Sequence, residues 1–192
     1  MSHIRLLWSG PHQLDTPAAI RHFAPPAAPG VYLWVAGGPA KRAVSYVGQT
    51  ESLAKRFQQH CVAQLGGGYV LYPLDEIRAG DVNSQSYVAN SPAEYFAKFL
   101  ANWREMTQHA FENFAAYEFY WAEVAGDKRL RELVESALIT FAQSACPALQ
   151  NNRPQRGPHQ YPPTTILSVL PSAVSAIRGL SPSIAFGTLA PE

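Results

Sequence analysis

Hydrophobic and polar positions along this chain follow first one period and then another. Val31-Tyr32-Leu33-Trp34-Val35 is a β-branched and aromatic run that predicts a buried strand. Gly37-Gly38-Pro39-Ala40-Lys41-Arg42 breaks it with turn residues, and Ala43 to Gly48 resumes the strand, so the two make a hairpin. The period then becomes helical: Leu53, Ala54, Phe57, Cys61 and Gln64-Leu65 gather on one side, with Thr50 as the expected N-cap and Glu51 at the positive end. Gly66-Gly67-Gly68 ends that helix. A second stripe, Leu130, Leu133, Val134, Ala137, Leu138 and Phe141, predicts a helix from about Asp127 to Ala145, preceded by a strand from Tyr117 to Val124.

Between these segments, Tyr69 to Leu74 reads as a short extra strand and Asp75 to Ser91 as polar and turn-rich. Ser91-Pro92-Ala93-Glu94 is a helix start, and the helix is expected to run to about Asn113. Tyr95, Phe99 and Trp103 recur there in four-residue steps, which favours core packing over stacking on bases. At the front, Met1 to Trp8 reads as a strand or arm, and Asp15-Thr16-Pro17 opens a short helix through Phe23. After Asn152, Arg153 to Pro163 is an extended, linker-like run. Thr164 to Glu192 has weak periodicity, apart from a short helix expected near Pro171 to Arg178.

Candidate chemistry sits on the hairpin and the two striped helices. Alternation places Tyr32 on the face of Trp34, and across the hairpin Tyr32 and Tyr46 can converge through their hydroxyls. Gly48 leaves room for close approach by a phosphate or by the next helix. Arg56 and His60, four residues apart, fall on the edge of the helix stripe with their heads toward a cleft. A guanidinium there grips phosphate oxygens bidentately, and an imidazole accepts a proton or hydrogen-bonds phosphate. Glu135 flanks the second stripe beside Ile139, whereas Glu132 is expected to point out toward solvent. One carboxylate together with substrate phosphate suffices to hold magnesium.

Taken in order, Gly30-Val31-Tyr32, Tyr46-Val47-Gly48, Arg56, His60, Glu135 and Asn151 resemble the GIY-YIG nucleases over roughly residues 24 to 152. The resemblance implies an α+β fold, a small three-stranded antiparallel or mixed sheet flanked by helices, with a helical insertion at about 66–116. Residues 1–23 are then an N-terminal arm or strand with a short helix, and 153–192 a C-terminal linker and extension. It implies a metal-dependent endonuclease cutting DNA to 5′-phosphate and 3′-hydroxyl ends, with magnesium as cofactor and manganese able to substitute. Tyr32, Tyr46, Arg56, His60 and Glu135 would be catalytic, Tyr32 as base, Tyr46 orienting water and Glu135 as metal ligand. Gly48, Gln49, Lys55, Asn151 and Arg153 would contact substrate, with Asn152 the alternate to Asn151. The chain departs from the family pattern at Gln49, where several members carry lysine, and in the length of the hairpin loop and of the Arg56-to-Glu135 interval.

Composition narrows the field. At 192 residues the chain suits one domain with terminal extensions. Charges interrupt every long apolar stretch, and the first eight residues are too uneven for a signal peptide. Cys61 and Cys146 lack metal-ligand spacing, which fits a reducing cytoplasm and argues against structural zinc. The net charge is only +1, low for a nucleic-acid enzyme. The cations are local, however: Lys41-Arg42, Lys55-Arg56, Lys128 through Arg131, and Arg153 with Arg156 bracket the proposed site. DNA is the expected partner, duplex or single-stranded. Restriction or defence is the favoured role, where a homodimer would supply two cuts. The alternative is an inactive or partner-dependent nucleic-acid-binding module of the same fold.

Overall fold

A computed structural model describes residues 2–16, 19, 22–69, 71–82, 92–146, 148–149, 152, 154, 157 and 160–187. Its strands are β1 (Ser2–Leu7), β2 (Ser9–Gln13), β3 (Gly30–Ala36), β4 (Ala43–Thr50), β5 (Glu118–Glu123), β6 (Thr164–Val169) and β7 (Ser183–Phe186). Its helices are α1 (Leu53–Leu65), α2 (Leu74–Ala79), α3 (Pro92–Ala101), α4 (Trp103–Ala115) and α5 (Lys128–Gln143). None of the described helices is long and apolar enough to cross a membrane.

The architecture is α+β. An antiparallel four-stranded sheet has the order β2–β5–β3–β4, and a mixed three-stranded sheet has the order β1–β6–β7. The expected single sheet of three strands is therefore too small by one strand, and a second sheet stands beside it. β2 adds the fourth strand by pairing with β5. The second sheet joins the two ends of the chain, β1 running parallel to β6 from Ser2↔Thr164 to Leu7↔Val169.

Strand β3 is buried along its whole length and separates two cores. Val31, Leu33 and Val35 face α5, where they pack with Leu133, Val134, Ala137 and Leu138 and with Leu6, Ile166 and Ile184 of the second sheet. Tyr32, Trp34 and Ala36 face the other way and join Leu53, Phe114, Tyr117 and Phe119. Alternation along β4 would carry Tyr46 to the same side as Val44. A bulge prevents this: Trp34 pairs with Tyr46 but Val35 pairs with Val44, leaving Ser45 as the extra residue. Tyr46 thereby shares the face of Tyr32 and Trp34, while Val44 and Val47 both stay in the α5 core.

The edge of β4 that does not meet β3 is closed by single hydrogen bonds. Val44 N–H donates to the Arg178 carbonyl at 2.9 Å, Arg178 N–H returns to the Arg42 carbonyl at 2.9 Å, and Val47 N–H donates to Asn152 Oδ1 at 3.1 Å. At the turn of the hairpin, Arg42 and Glu118 form a buried bidentate pair, Nε to Oε2 at 2.6 Å and a second N–H to Oε1 at 3.1 Å. Tyr120 adds its hydroxyl to the same carboxylate at 2.9 Å.

Several local expectations change. Ser52, not Thr50, caps α1, its Oγ accepting the Lys55 N–H at 3.3 Å, while the Thr50 hydroxyl accepts the Ser52 N–H at 3.1 Å. Leu65 is exposed and Gln64 buried, because the stripe turns inward one residue earlier. Tyr69 and residues 71–73 form no strand, and α2, starting at Leu74, occupies what reads as turn-rich sequence. The long insertion helix is two, α3 and α4, broken at Asn102, whose backbone (φ −129°, ψ 37°) leaves the helical region. Phe99 and Met106 are buried there, but Phe96, Leu100 and Trp103 are exposed, so the aromatic stripe only partly faces the core. Pro171 to Arg178 forms no helix, and Arg178 instead makes a parallel bridge to Ala43. Ser91 and most of the short helix expected before Phe23 lie outside the described residues.

Candidate active site

The hairpin, α1 and the loop after it bring four side chains into one hydrogen-bonded chain. Tyr32, on β3, accepts a hydrogen bond from Arg56 Nε at 3.0 Å. The same hydroxyl lies 2.8 Å from His60 Nε2, and His60 Nδ1 lies 2.8 Å from the Tyr69 hydroxyl. In either tautomer of the neutral ring, one nitrogen donates and the other accepts, so the imidazole links the two phenols. Arg56 is steadied by Gln59, whose Oε1 accepts at 3.2 Å. Tyr46 completes the group, its ring centroid 6.0 Å from that of Tyr32 and 5.8 Å from the imidazole. Trp34 packs edge-on to His60 at 5.0 Å.

Local sequence explains this convergence. Tyr32 pairs with Gly48 across the hairpin, and a Cβ at Gly48 would strike the Tyr32 phenol. The glycine therefore makes space for the tyrosine itself rather than only for a substrate or the next helix. Ser52 starts α1 at a phase that sends Arg56 and His60 along one line, toward β3. His60 is not on the edge of the helix stripe but inside it, 2% exposed, with both nitrogens engaged by tyrosines. Tyr69 carries no periodic signal, because it sits in loop just past the glycine-terminated end of α1. The one cue is an aromatic immediately after a chain reversal.

Burial governs the electrostatics. Burial, reinforced by the Arg56 cation, lowers His60 to about 3, so the ring is neutral at ordinary pH. Burial also drives the Tyr32 phenol well above its usual value, with nearby Tyr46 adding to the effect and the Arg56 hydrogen bond opposing it. For Arg56 itself burial is the largest influence and disfavours the charge, but Tyr32 and Tyr46 together outweigh it, and the guanidinium stays protonated.

Glu135 enters from α5 at the far end of β4. Its carboxylate accepts a hydrogen bond from the Gln49 backbone, while Oε2 is buried without a hydrogen-bond partner among the described residues. Burial raises its pKa to about 7, with neighbouring Glu132 adding and Gln49 and Arg56 opposing. Glu132 is buried too, contrary to the solvent-facing position expected for it, and lies 3.7 Å from Lys128 Nζ. The helix sits deeper between the two sheets than its stripe alone implies. Arg131 is likewise buried, donating to the Gly126 carbonyl at 3.0 Å and lying 3.5 Å from Glu51.

The remaining predicted residues divide. Gln49 joins the site through its backbone. Lys55 is exposed on the first turn of α1. Asn151 and Arg153 lie outside the described residues. Asn152, the alternate, holds the β4 edge through Val47, and its own carbonyl accepts from Gln143 Nε2 at 2.9 Å.

A divalent cation fits this donor set on one observation, the buried and unpartnered Oε2 of Glu135. No cluster of three or more His, Cys, Asp or Glu suited to a metal occurs among the described residues. Magnesium does not require one, since it binds through one or two carboxylates plus substrate phosphate and water. Comparison of the chain with family models, curated proteins and solved structures found no match in any of the three.

Proposed function

We propose that this chain is a magnesium-dependent endonuclease of the GIY-YIG kind that hydrolyses DNA phosphodiester bonds to 5′-phosphate and 3′-hydroxyl ends. The observation that carries the reading is the continuous chain Arg56–Tyr32–His60–Tyr69, with Tyr46 beside it and an unsatisfied glutamate at the end of the same hairpin. A guanidinium, two phenols, a neutral imidazole and a metal-ready carboxylate suit attack of water on a phosphodiester better than any nucleophile chemistry. Cys61 is a poor nucleophile here, since burial raises its thiol to about 11.

Arg56 grips the scissile phosphate and stabilises the charge that grows on its oxygens. Tyr46 orients the attacking water. Tyr32 takes a proton from that water as its own passes to His60 Nε2, a step suited to a phenol whose phenolate is disfavoured. His60 is weakly basic in the empty site because it is buried, with the Arg56 charge adding to the effect. A phosphate on Arg56 offsets that charge and raises the basicity of the ring as substrate binds. Magnesium, or manganese in its place, held by Glu135 would supply charge neutralisation at the leaving 3′ oxygen. Restriction or another defence role in the cytoplasm, with a homodimer making paired cuts, is the setting this reading favours.

The second reading is a nucleic-acid-binding module of the same fold that does not cut, or cuts only with a partner. The two separate in one experiment. Plasmid, linear duplex and single-stranded DNA are incubated with the wild-type chain and with Glu135→Ala, in magnesium and in EDTA. Magnesium-dependent cutting that disappears in the variant supports the nuclease. Binding without cutting on every substrate would hand the site to the second reading.

A further inference from the structure

Beside the cluster lies a cleft of about 380 Å³, at the lower end of the size of small-molecule sites, about 300–1,000 Å³. Trp34, Tyr46, Tyr69, Tyr72 and Tyr117 line it, together with the buried amide of Gln64. Arg56 and His60 form the wall shared with the cluster, and Arg56 is the one full charge among the described lining residues. The ligand that matches is a flat, neutral, aromatic ring with polar groups on its edge, joined to a single anion at the Arg56 end.

The wall opposite β3 is built in advance. Asn113 of α4 accepts the Tyr72 N–H at 2.7 Å and donates to the Tyr72 carbonyl at 2.9 Å, holding the 69–72 loop against the helix. The Ser45 bulge brings Tyr46 to this face, and Ser45 lines the cleft next to it. The insertion thus supplies one side of the cleft and the hairpin the other. The indole N–H of Trp34, which also lines the cleft, has no hydrogen-bond partner among the described residues.

Resting on the nuclease reading, we infer that this cleft receives one unpaired nucleobase, belonging to a nucleotide next to the phosphate held by Arg56. A base inside a duplex has both faces covered by its neighbours and cannot offer them to aromatic walls. A bulged, extruded or single-stranded nucleotide can. The tyrosine rings stack on the base, and Gln64 reads its edge. The preferred substrate is therefore DNA carrying an unpaired nucleotide, not a perfect duplex.

The test measures binding of the full chain in EDTA, where no cutting occurs, to a perfect duplex and to the same duplex with one bulged nucleotide. The wild type is expected to prefer the bulged duplex by about 10-fold, the scale of one stacking contact. Tyr72→Leu should reduce the preference to less than 3-fold with unchanged affinity for the perfect duplex, and Tyr72→Phe should retain it. Gln64→Leu should keep the preference but lose discrimination among bulged A, C, G and T. Equal affinity for both duplexes, or a preference that Tyr72→Leu leaves intact, overturns the base site. So does competition by a free nucleoside monophosphate as effective as the bulged DNA, which would make the ligand a mononucleotide. Magnesium-dependent cutting of the perfect duplex, measured separately, reports on the nuclease reading and stands or falls independently.

Discussion

Two buried glutamates, one near the turn of the hairpin and one at its open end, live in opposite circumstances. Glu118 is 2% exposed and fully answered: Arg42 meets both of its oxygens and Tyr120 adds a third hydrogen bond. Glu135 is nearly as buried, 8% exposed, yet keeps one oxygen without a partner among the described residues and a pKa raised to about 7. A buried carboxylate that is paired belongs to the scaffold. Glu135, at the open end of the hairpin that carries Tyr32 and Tyr46, is the one left wanting among the described residues, and on the proposed reading that oxygen would take the metal. Burial alone does not separate these two carboxylates, but the partners of their oxygens do.

The largest effect should come from breaking the unsatisfied member. Glu135→Gln is expected to lower the cleavage rate on the order of 10³-fold, the scale of losing a principal charge-stabilising group, with folding intact by circular dichroism. If the two glutamates differ as described, Glu118→Gln must do the reverse. It should leave the rate per folded molecule close to wild type and lower stability in urea melts. Arg42→Ala strands the carboxylate outright and should cost about 3–5 kcal/mol by the same measurement.

A pH series sharpens the contrast. Glu135 carries its proton below about 7, so cleavage should rise about tenfold per pH unit up to that point and level off above it. In metal-free buffer the same group acts on stability with a definite sign. Because its folded pKa lies above the ordinary 4.5, stability falls as pH rises from 4.5 to about 7 and stays low beyond. The melting temperature of Glu135→Gln relative to wild type should therefore climb across that window and then stay constant. The smallest effect belongs to the strand edge. Asn152→Ala removes the hydrogen bond on Val47 N–H and should cost about 1 kcal/mol in urea melts, with a modest loss of cutting as β4 loosens.

How far the site could be read from sequence depended on how local its parts are. Tyr32, Tyr46, Gly48, Arg56 and His60 come from one continuous strand–turn–strand–helix segment, where alternation and helical period reach most of the answer. The bulge at Ser45 could not be read there, since an extra residue in a strand changes no composition, yet it alone decides which face Tyr46 takes. His60 reads as an edge residue because polarity argues for exposure. Two phenols supplied by β3 and by the 69–72 loop pay for its burial. Ser52 and Thr50 are both hydroxyls within three residues, and only the backbone distinguishes the cap from its helper. Of the second sheet only β1 was legible, within the strand or arm read at residues 1–8; β6 and β7 are rich in serine and threonine, and β1 pairs with β6 across most of the chain.

That last pairing bears on the order in which the protein can come into being. β1 precedes the hairpin, yet its partner β6 begins at Thr164, and the Arg178 bridge that covers the edge of β4 comes later still. The hairpin and α1 can meet early, while the loop between β1 and β6 closes only after the whole stretch between them has been synthesised, the kind of distant contact that slows folding. A chain released before Thr164 keeps Tyr32, Arg56, His60 and Glu135 but leaves β1 without its ladder and β4 without the Arg178 bonds on its edge. The candidate site is encoded between β1 and β6, and part of its support is made only after it.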